Sequence, residues 1–230
     1  MTLYEQLKQD VRFIEGLKAC MNCGVCTAIC PAAEFFDYDP RMIAVEVQSR
    51  DNVRIEKLLK SETIWYCGQC MSCKTRCPRG NCPGLIINSL RKLSQKLGYF
   101  TQSHRGRQQY ALKKVLINNI LNHGYCIHPD CLKPELHPEQ GPVWKWVFEN
   151  RHDVYTRLGA NLDQDGPGTL RKIQGSVLAE LSAIFDESGA TEFLEQIETA
   201  SRAKAKEMGL MDEDGGMDRY FMHVYSSNES

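Results

Sequence analysis

The sequence has no run of 18 or more consecutive apolar residues, so no transmembrane helix is expected. It has almost no net charge, because 28 Lys and Arg oppose 29 Asp and Glu to leave −1 over 230 residues. That balance builds no long-range field for polyanions, so neither nucleic acid nor an anionic membrane surface is an expected partner. Met1 to Asp10 contain neither an apolar signal core nor a twin-arginine pair, which makes the cytoplasm the expected compartment. There is no G-x-G-x-x-G, P-loop or nucleophile elbow, and no flavin or nicotinamide site can be argued. Low-complexity tracts are absent too.

What is abundant is cysteine: 11 residues, nine of them between Cys20 and Cys82. An odd count without an export signal disfavours a disulfide scaffold, and clustered thiols in a reducing compartment point to metal. The cysteines fall into one internal repeat. Cys20, Cys23, Cys26 and Cys30 precede Pro31 with the same spacing that Cys67, Cys70, Cys73 and Cys77 show before Pro78. Each run reads C-x2-C-x2-C-x3-C-P, the bacterial ferredoxin pattern for a [4Fe–4S] cluster. Two-residue gaps let a tight loop present three thiolates to one cubane, while the fourth cysteine has turned into the next element and serves the other cluster. The expected cofactors are therefore two [4Fe–4S] clusters. One would be held by Cys20, Cys23, Cys26 and Cys77, the other by Cys67, Cys70, Cys73 and Cys30. Gly24 and Gly68 lie inside the loops, where a backbone without Cβ can approach sulfide. Zinc held by four cysteines fits poorly, because it usually takes two C-x2-C pairs across a spacer.

Three cysteines remain. Cys82 either replaces Cys77 as the outgoing ligand or stands beside the clusters as a bystander, with the spacing favouring Cys77. Cys126 and Cys131 lie among His123, His128 and His137; they read either as a two-cysteine, two-histidine zinc site or as an ordinary Pro-rich loop. Lys18, Lys74, Arg76 and Arg79 flank the runs, and two readings stand: stabilisation of the anionic clusters, or a solvated basic face.

Most of the remaining chain reads as helix. Leu3, Leu7, Val11 and Ile14 share a helical face behind a Thr2–Glu5 capping box. Asp39–Pro40 starts a helix, and Asn52 is placed to cap another. Leu85, Ile86, Leu90, Leu93 and Leu97 form a stripe ended by Gly98. A helix from about His104 to His123 presents Tyr110, Leu112, Val115, Leu116, Ile120 and Leu121 and ends at Gly124. Prolines 129, 134, 138 and 142 make a loop. Val143–Leu158, Thr169–Phe185 and Thr191–Met208 read as helices, and the polar tail Asp212–Ser230 as a segment that orders only against a partner. The expectation is an all-α protein: a dicluster α-helical ferredoxin-like domain over 1–100, a helical and Pro-rich extension over 101–165, and C-terminal amphipathic helices and tail over 166–230.

With both four-cysteine sets complete, every iron is capped and no substrate position is open. The chain is expected to be a non-catalytic electron-transfer unit. The 36 residues between Cys30 and Cys67 give the paired motifs a resemblance to the α-helical ferredoxin module, seen also in the iron–sulfur subunits of succinate dehydrogenase and fumarate reductase. Over roughly residues 1–100, with its specificity at Cys20–Pro31 and Cys67–Pro78, the chain is most similar to the iron–sulfur C subunits of heterodisulfide reductase. The length beyond about residue 125 points towards the bacterial sulfur-oxidation type. The resemblance implies a hetero-oligomer in sulfur metabolism. In it, a flavin-containing A-like subunit and a thiol/disulfide-active B-like subunit exchange electrons through this chain. Membership of a quinone-linked complex and a role as a free dicluster ferredoxin are the competing expectations.

Overall fold

Local signals set the helix starts. The computed structural model describes residues 1–226, all helix, turn and loop, with no strand among them. Thr2 and Glu5 exchange hydrogen bonds in a full capping box that opens α1 (Leu3–Leu7). The chain then breaks, and Asp10 caps α2 (Val11–Gly16) by accepting from the Arg12 amide at 2.9 Å. That break shifts the helical phase. Phe13 turns inward at 2% exposure while Val11 and Ile14 stay 68% and 51% exposed, so the single face expected from Leu3 to Ile14 does not form.

α3 (Val25–Ala28) and α4 (Ala32–Phe35) are single turns. α5 (Pro40–Gln48) begins at the expected Asp39–Pro40 signal, with Asp39 accepting from the Arg41 and Met42 amides. α6 (Asn52–Lys60) is capped by Asp51 rather than Asn52, whose side chain instead accepts from the Leu3 amide 49 positions away. α7 (Ser72–Arg76) follows the second cysteine loop, and α8 (Pro83–Lys96) ends near Gly98, at φ +74°. α8 is the axis of a first compact unit, Met1–Arg107. Its buried Ile86, Ile87, Leu90 and Leu93 meet Leu7, Phe13, Ile43, Val47, Ile55 and Leu59 from the surrounding helices. Ile87, absent from the expected stripe, is fully buried, whereas Leu97 is 37% exposed.

The second unit, Gln108–Ser230, has its own core. α9 (His104–Leu112) runs through a π-helical turn, Lys113–Ile117, into α10 (Asn118–His123), capped by Gly124 at φ +76°. Leu112, just before this wider turn, is 48% exposed, and Ala111 before it and Asn119 after it are buried instead. The Pro-rich stretch forms three short 3-10 turns, at Pro129–Cys131, Pro134–Leu136 and Pro138–Gln140. α11 (Gly141–Glu149) and α12 (Arg151–Arg157) follow. α13 (Gly175–Glu187) starts six residues later than expected from Thr169, because Leu170 takes a left-handed φ of +62°. α14 (Ala190–Glu207) is the longest helix among the described residues. The tail is not a bare polar strand. α15 (Asp218–Ser226) buries Tyr220, Phe221 and Val224 against Tyr110, Ala111 and Ala205. Residues 227–230 of that expected segment lie outside the described residues.

Candidate metal centres

The repeat in the sequence is a repeat in backbone conformation. Two residues after the first cysteine of each run, Asn22 and Gln69 are left-handed (φ +60° and +55°). Four residues after it, Gly24 and Met71 are left-handed too (φ +82° and +58°), each as the N-cap of the following helix, α3 or α7. Gly68 is not among the left-handed residues, so the second loop turns on Gln69 and Met71, at a cost of roughly 1–2 kcal/mol for each non-glycine residue. Side chains from the helical core hold both loops. Gln48 of α5 accepts from the Cys20 amide at 2.7 Å and donates to its carbonyl at 3.2 Å. Arg91 of α8 donates to the Ile64 and Cys67 carbonyls, both at 2.7 Å, and lies over the Trp65 ring.

The eight cysteines of the two runs gather around two cavities. Cys20, Cys23, Cys26 and Cys77 line one. Cys67, Cys70, Cys73 and Cys30 line the other, of about 280 Å³. Each cavity thus takes three thiols from one loop and one from the other. The first is walled by Arg41, Arg79 and Pro83. The second is walled by aromatics, with Phe36 and Tyr66 stacked at 4.5 Å and the edge of Tyr38 against Tyr66. The N-terminus of α8 runs between them, Pro83 reaching one cavity and Gly84 the other. Its partial positive charge faces sulfur on both sides.

The thiols respond to these surroundings. Burial raises Cys73 to about 12, opposed by the Gly84 amide and reinforced by nearby Cys82. Burial likewise raises Cys26, with Cys20 adding to it. Hydrogen bonds from Ser72 lower Cys70. Arg91 is pulled below its ordinary value by burial, with the Cys67 sulfur opposing. The Cys77 sulfur accepts from the Asn81 backbone amide at 3.3 Å and from its side-chain amide at 3.8 Å. Of the four flanking cations singled out from sequence, Arg79 lines a cavity, Lys18 pairs with Glu15 at 3.9 Å, and Lys74 and Arg76 are exposed. Arg41 and Arg91 carried no signal in the sequence; only the packing of α5 and α8 brings them to the loops.

Cys82 is 1% exposed, caps α8, and has its sulfur 3.7 Å from that of Met71. It neighbours Cys73. The other two cysteines part company. Cys131 lies with His123 and His128, whereas Cys126 is exposed and outside that group, and His137 pairs with Glu139 at 3.2 Å.

A [4Fe–4S] cluster suits each cavity chemically, since each offers four thiols and each iron takes one. The second cavity also holds an orphan. The Tyr38 hydroxyl is buried beside the Cys67 and Cys30 sulfurs without a well-formed hydrogen bond among the described residues, and burial above all, with the Cys67 sulfur adding, drives it upward. A sulfide-rich acceptor in that cavity would satisfy it.

Residues 16–81 match the family of 4Fe-4S dicluster domains. The chain is 44% identical over 110 residues to the C subunit of the ferredoxin:CoB-CoM heterodisulfide reductase of Methanosarcina acetivorans, covering 44% of this chain and 43% of that one. It is 33% identical over 107 residues to an iron-sulfur C subunit of the CoB–CoM heterodisulfide reductase of Methanocaldococcus jannaschii, covering 46% and 54%. It is 32% identical over 98 residues to the iron-sulfur C subunit of the same kind of enzyme from Methanopyrus kandleri, covering 43% and 50%. The chain spans about half the length of these curated relatives. Residues 16–81 are a dicluster domain for two [4Fe–4S] clusters, and about 110 residues of the chain are similar to heterodisulfide reductase C subunits.

Proposed function

We propose that this chain is the electron-relay subunit of a heterodisulfide reductase-type oxidoreductase, working in the cytoplasm and catalysing no bond-making itself. Cys20, Cys23, Cys26 and Cys77 hold one cluster, and Cys67, Cys70, Cys73 and Cys30 the other. The observation that carries the reading is the sharing of thiols, three from one loop and one from its partner, around each cavity. The bound clusters supply one-electron carriers. The chain's own groups hold them and set their surroundings: the Asn81 amides and the α8 N-terminus offer positive dipoles to sulfur, and aromatic rings line the second site. No helix among the described residues is long and apolar enough to cross a membrane.

A relay needs a donor and an acceptor. We assign these roles to a flavin-containing A-like subunit and a thiol/disulfide-active B-like subunit in sulfur metabolism. The finer assignment to the bacterial sulfur-oxidation type rests on the second unit, which lies outside the matched residues 16–81. Phe35, 75% exposed at the second cavity, places an aromatic contact beside a cluster, and Trp146, 56% exposed, offers another on the second unit. Anaerobic purification of the native assembly tests the reading. About eight iron atoms per chain, two interacting S = ½ signals on reduction, and co-purifying flavin and B-like subunits are expected. A chain that purifies iron-loaded but alone would remove the complex, and one with a single cluster would remove the relay.

A further inference from the structure

The second unit holds a set of donors that the clusters do not use. His123 closes α10, His128 caps the 3-10 turn Pro129–Cys131, and Cys131 ends that turn. One donor atom from each lies within 4.8 Å of the other two. The Cys131 sulfur is 3.9 Å from His123 Nε2, and the two imidazoles lie almost parallel with centroids 4.3 Å apart. His128 is 1% exposed, unusual for an imidazole whose ring partners are so few. Its Nε2 faces Asp163 Oδ1 at 3.2 Å, and its Nδ1 meets the Asp130 amide only at 3.4 Å, the long limit of a hydrogen bond. A carboxylate on one ring nitrogen is the usual support of a metal-bound histidine, and the other nitrogen, Nδ1, carries only the long bond from the Asp130 amide, with Asp130 Oδ2 at 3.9 Å.

From this geometry we infer that His123, His128 and Cys131 form a binding site for a zinc-class divalent cation, with Asp163 orienting His128. Two imidazoles and one thiolate are a borderline-soft donor set that favours zinc over magnesium or calcium. Three protein donors leave a fourth position to water. Binding forms a metal–sulfur bond, breaks the Cys131 S–H bond and releases its proton to water; no electron is transferred. The ion would tie the end of α10, the Pro-rich turn and the Asp163 loop together. These segments contribute no buried residue to the cluster around Tyr110 and Tyr220.

Zinc itself is the probe. The full chain, purified anaerobically with its clusters, is incubated with zinc and desalted, then assayed for zinc and iron in one sample and by X-ray absorption at the zinc edge. About one zinc per chain is expected, in a shell of one sulfur and two nitrogens plus oxygen. Cys131→Ser should lower zinc content at least tenfold without loss of iron. Asp163→Asn should weaken affinity about 10- to 100-fold. Cys126→Ser should change neither. The wild-type spectrum needs no variant to fold. A sulfur-only shell, which would put the zinc among the cluster cysteines, overturns the site. So do negligible zinc in the wild type and full retention in Cys131→Ser.

Discussion

Tyr38 has a buried hydroxyl that makes no well-formed hydrogen bond among the described residues and stands against the Cys67 and Cys30 thiols of the second cavity. A donor aimed at cluster sulfur stabilises the more negative, reduced state, so it raises the potential. Tyr38→Phe keeps the ring and removes the donor. It should lower the potential of one cluster by tens of millivolts, on a scale where about 59 mV is tenfold for one electron, and leave the other in place. An EPR-monitored redox titration reads both; two unmoved midpoints would show that the hydroxyl does not reach the cluster. Cys77 and Cys82 separate at the same scale. Cys77 shares a cavity with Cys20, Cys23 and Cys26, and Cys82 lies buried beside Cys73. Cys77→Ser should cost up to half the iron, and Cys82→Ser little of it. The reverse ranking in an iron assay would exchange their roles.

Among elements, α5 and α8 do most to position the site. Asp39 caps α5, pairs with Arg41 at 2.7 Å and accepts from Thr27 on α3, so one carboxylate joins a cluster loop to the core. Burial raises this carboxyl, but the bonds from Arg41, Thr27 and the Met42 amide outweigh it and leave it below its ordinary 3.8. A depressed folded value stabilises the protein above the unfolded value, and that contribution is lost as pH falls through the folded one. Asp39→Ala should therefore cost about 1–2 kcal/mol near neutrality. The deficit against wild type should shrink below pH 4 in thermal unfolding followed by circular dichroism; a deficit constant with pH would assign it to packing alone. Gly16 is the matching constraint on α8. A Cβ there would stand 2.9 Å from the Ile86 amide nitrogen and 3.0 Å from the Cys82 carbonyl. Both are backbone, which yields poorly, so Gly16→Ala should cost about 1–3 kcal/mol, and a melting temperature equal to wild type would show that α2 can shift. The sequence disclosed what is encoded within a few residues: the Thr2 box, the Asp39–Pro40 start, and the Gly98 and Gly124 ends. It did not disclose choices made by distant contacts. Asn52 looks like a cap until Leu3 claims its side chain. Phe13 replaces Ile14 only because the chain breaks before Asp10. The π-turn at Lys113–Ile117 resets a register that 3.6-residue periodicity assumes to be constant.

At the scale of the molecule, the cysteine spacing announces the metal centres, but nothing in the spacing supplies Arg91 and Gln48, which reach the loops from α8 and α5, or Tyr38, which reaches them from the connection before α5. The two units share no core residue: one is built on Leu7, Ile43, Ile55 and Leu90, the other on Tyr110, Ala205, Tyr220 and Val224. That separation makes the consequence of iron loss local. The loops Cys20–Cys30 and Cys67–Cys77 contribute no fully buried side chain, and three left-handed non-glycine residues, Asn22, Gln69 and Met71, strain them. Without thiolate–iron bonds they retain few contacts to offset their ordering entropy. The helices around α8 keep theirs, because Ile86, Ile87 and Leu90 are wholly buried in hydrocarbon rather than against the metal sites alone. Chelation of iron under reducing, anaerobic conditions should thus leave most helical signal intact. Hydrogen exchange should quicken in residues 18–31 and 66–82, by orders of magnitude if local opening replaces global unfolding. Protection in the middle of α8 should fall little, and in α14 and α15 not at all. Loss of protection along all of α8 would make the clusters the nucleus of the first unit rather than cargo held by a helical frame, and loss in α14 would mean that the second core depends on the first.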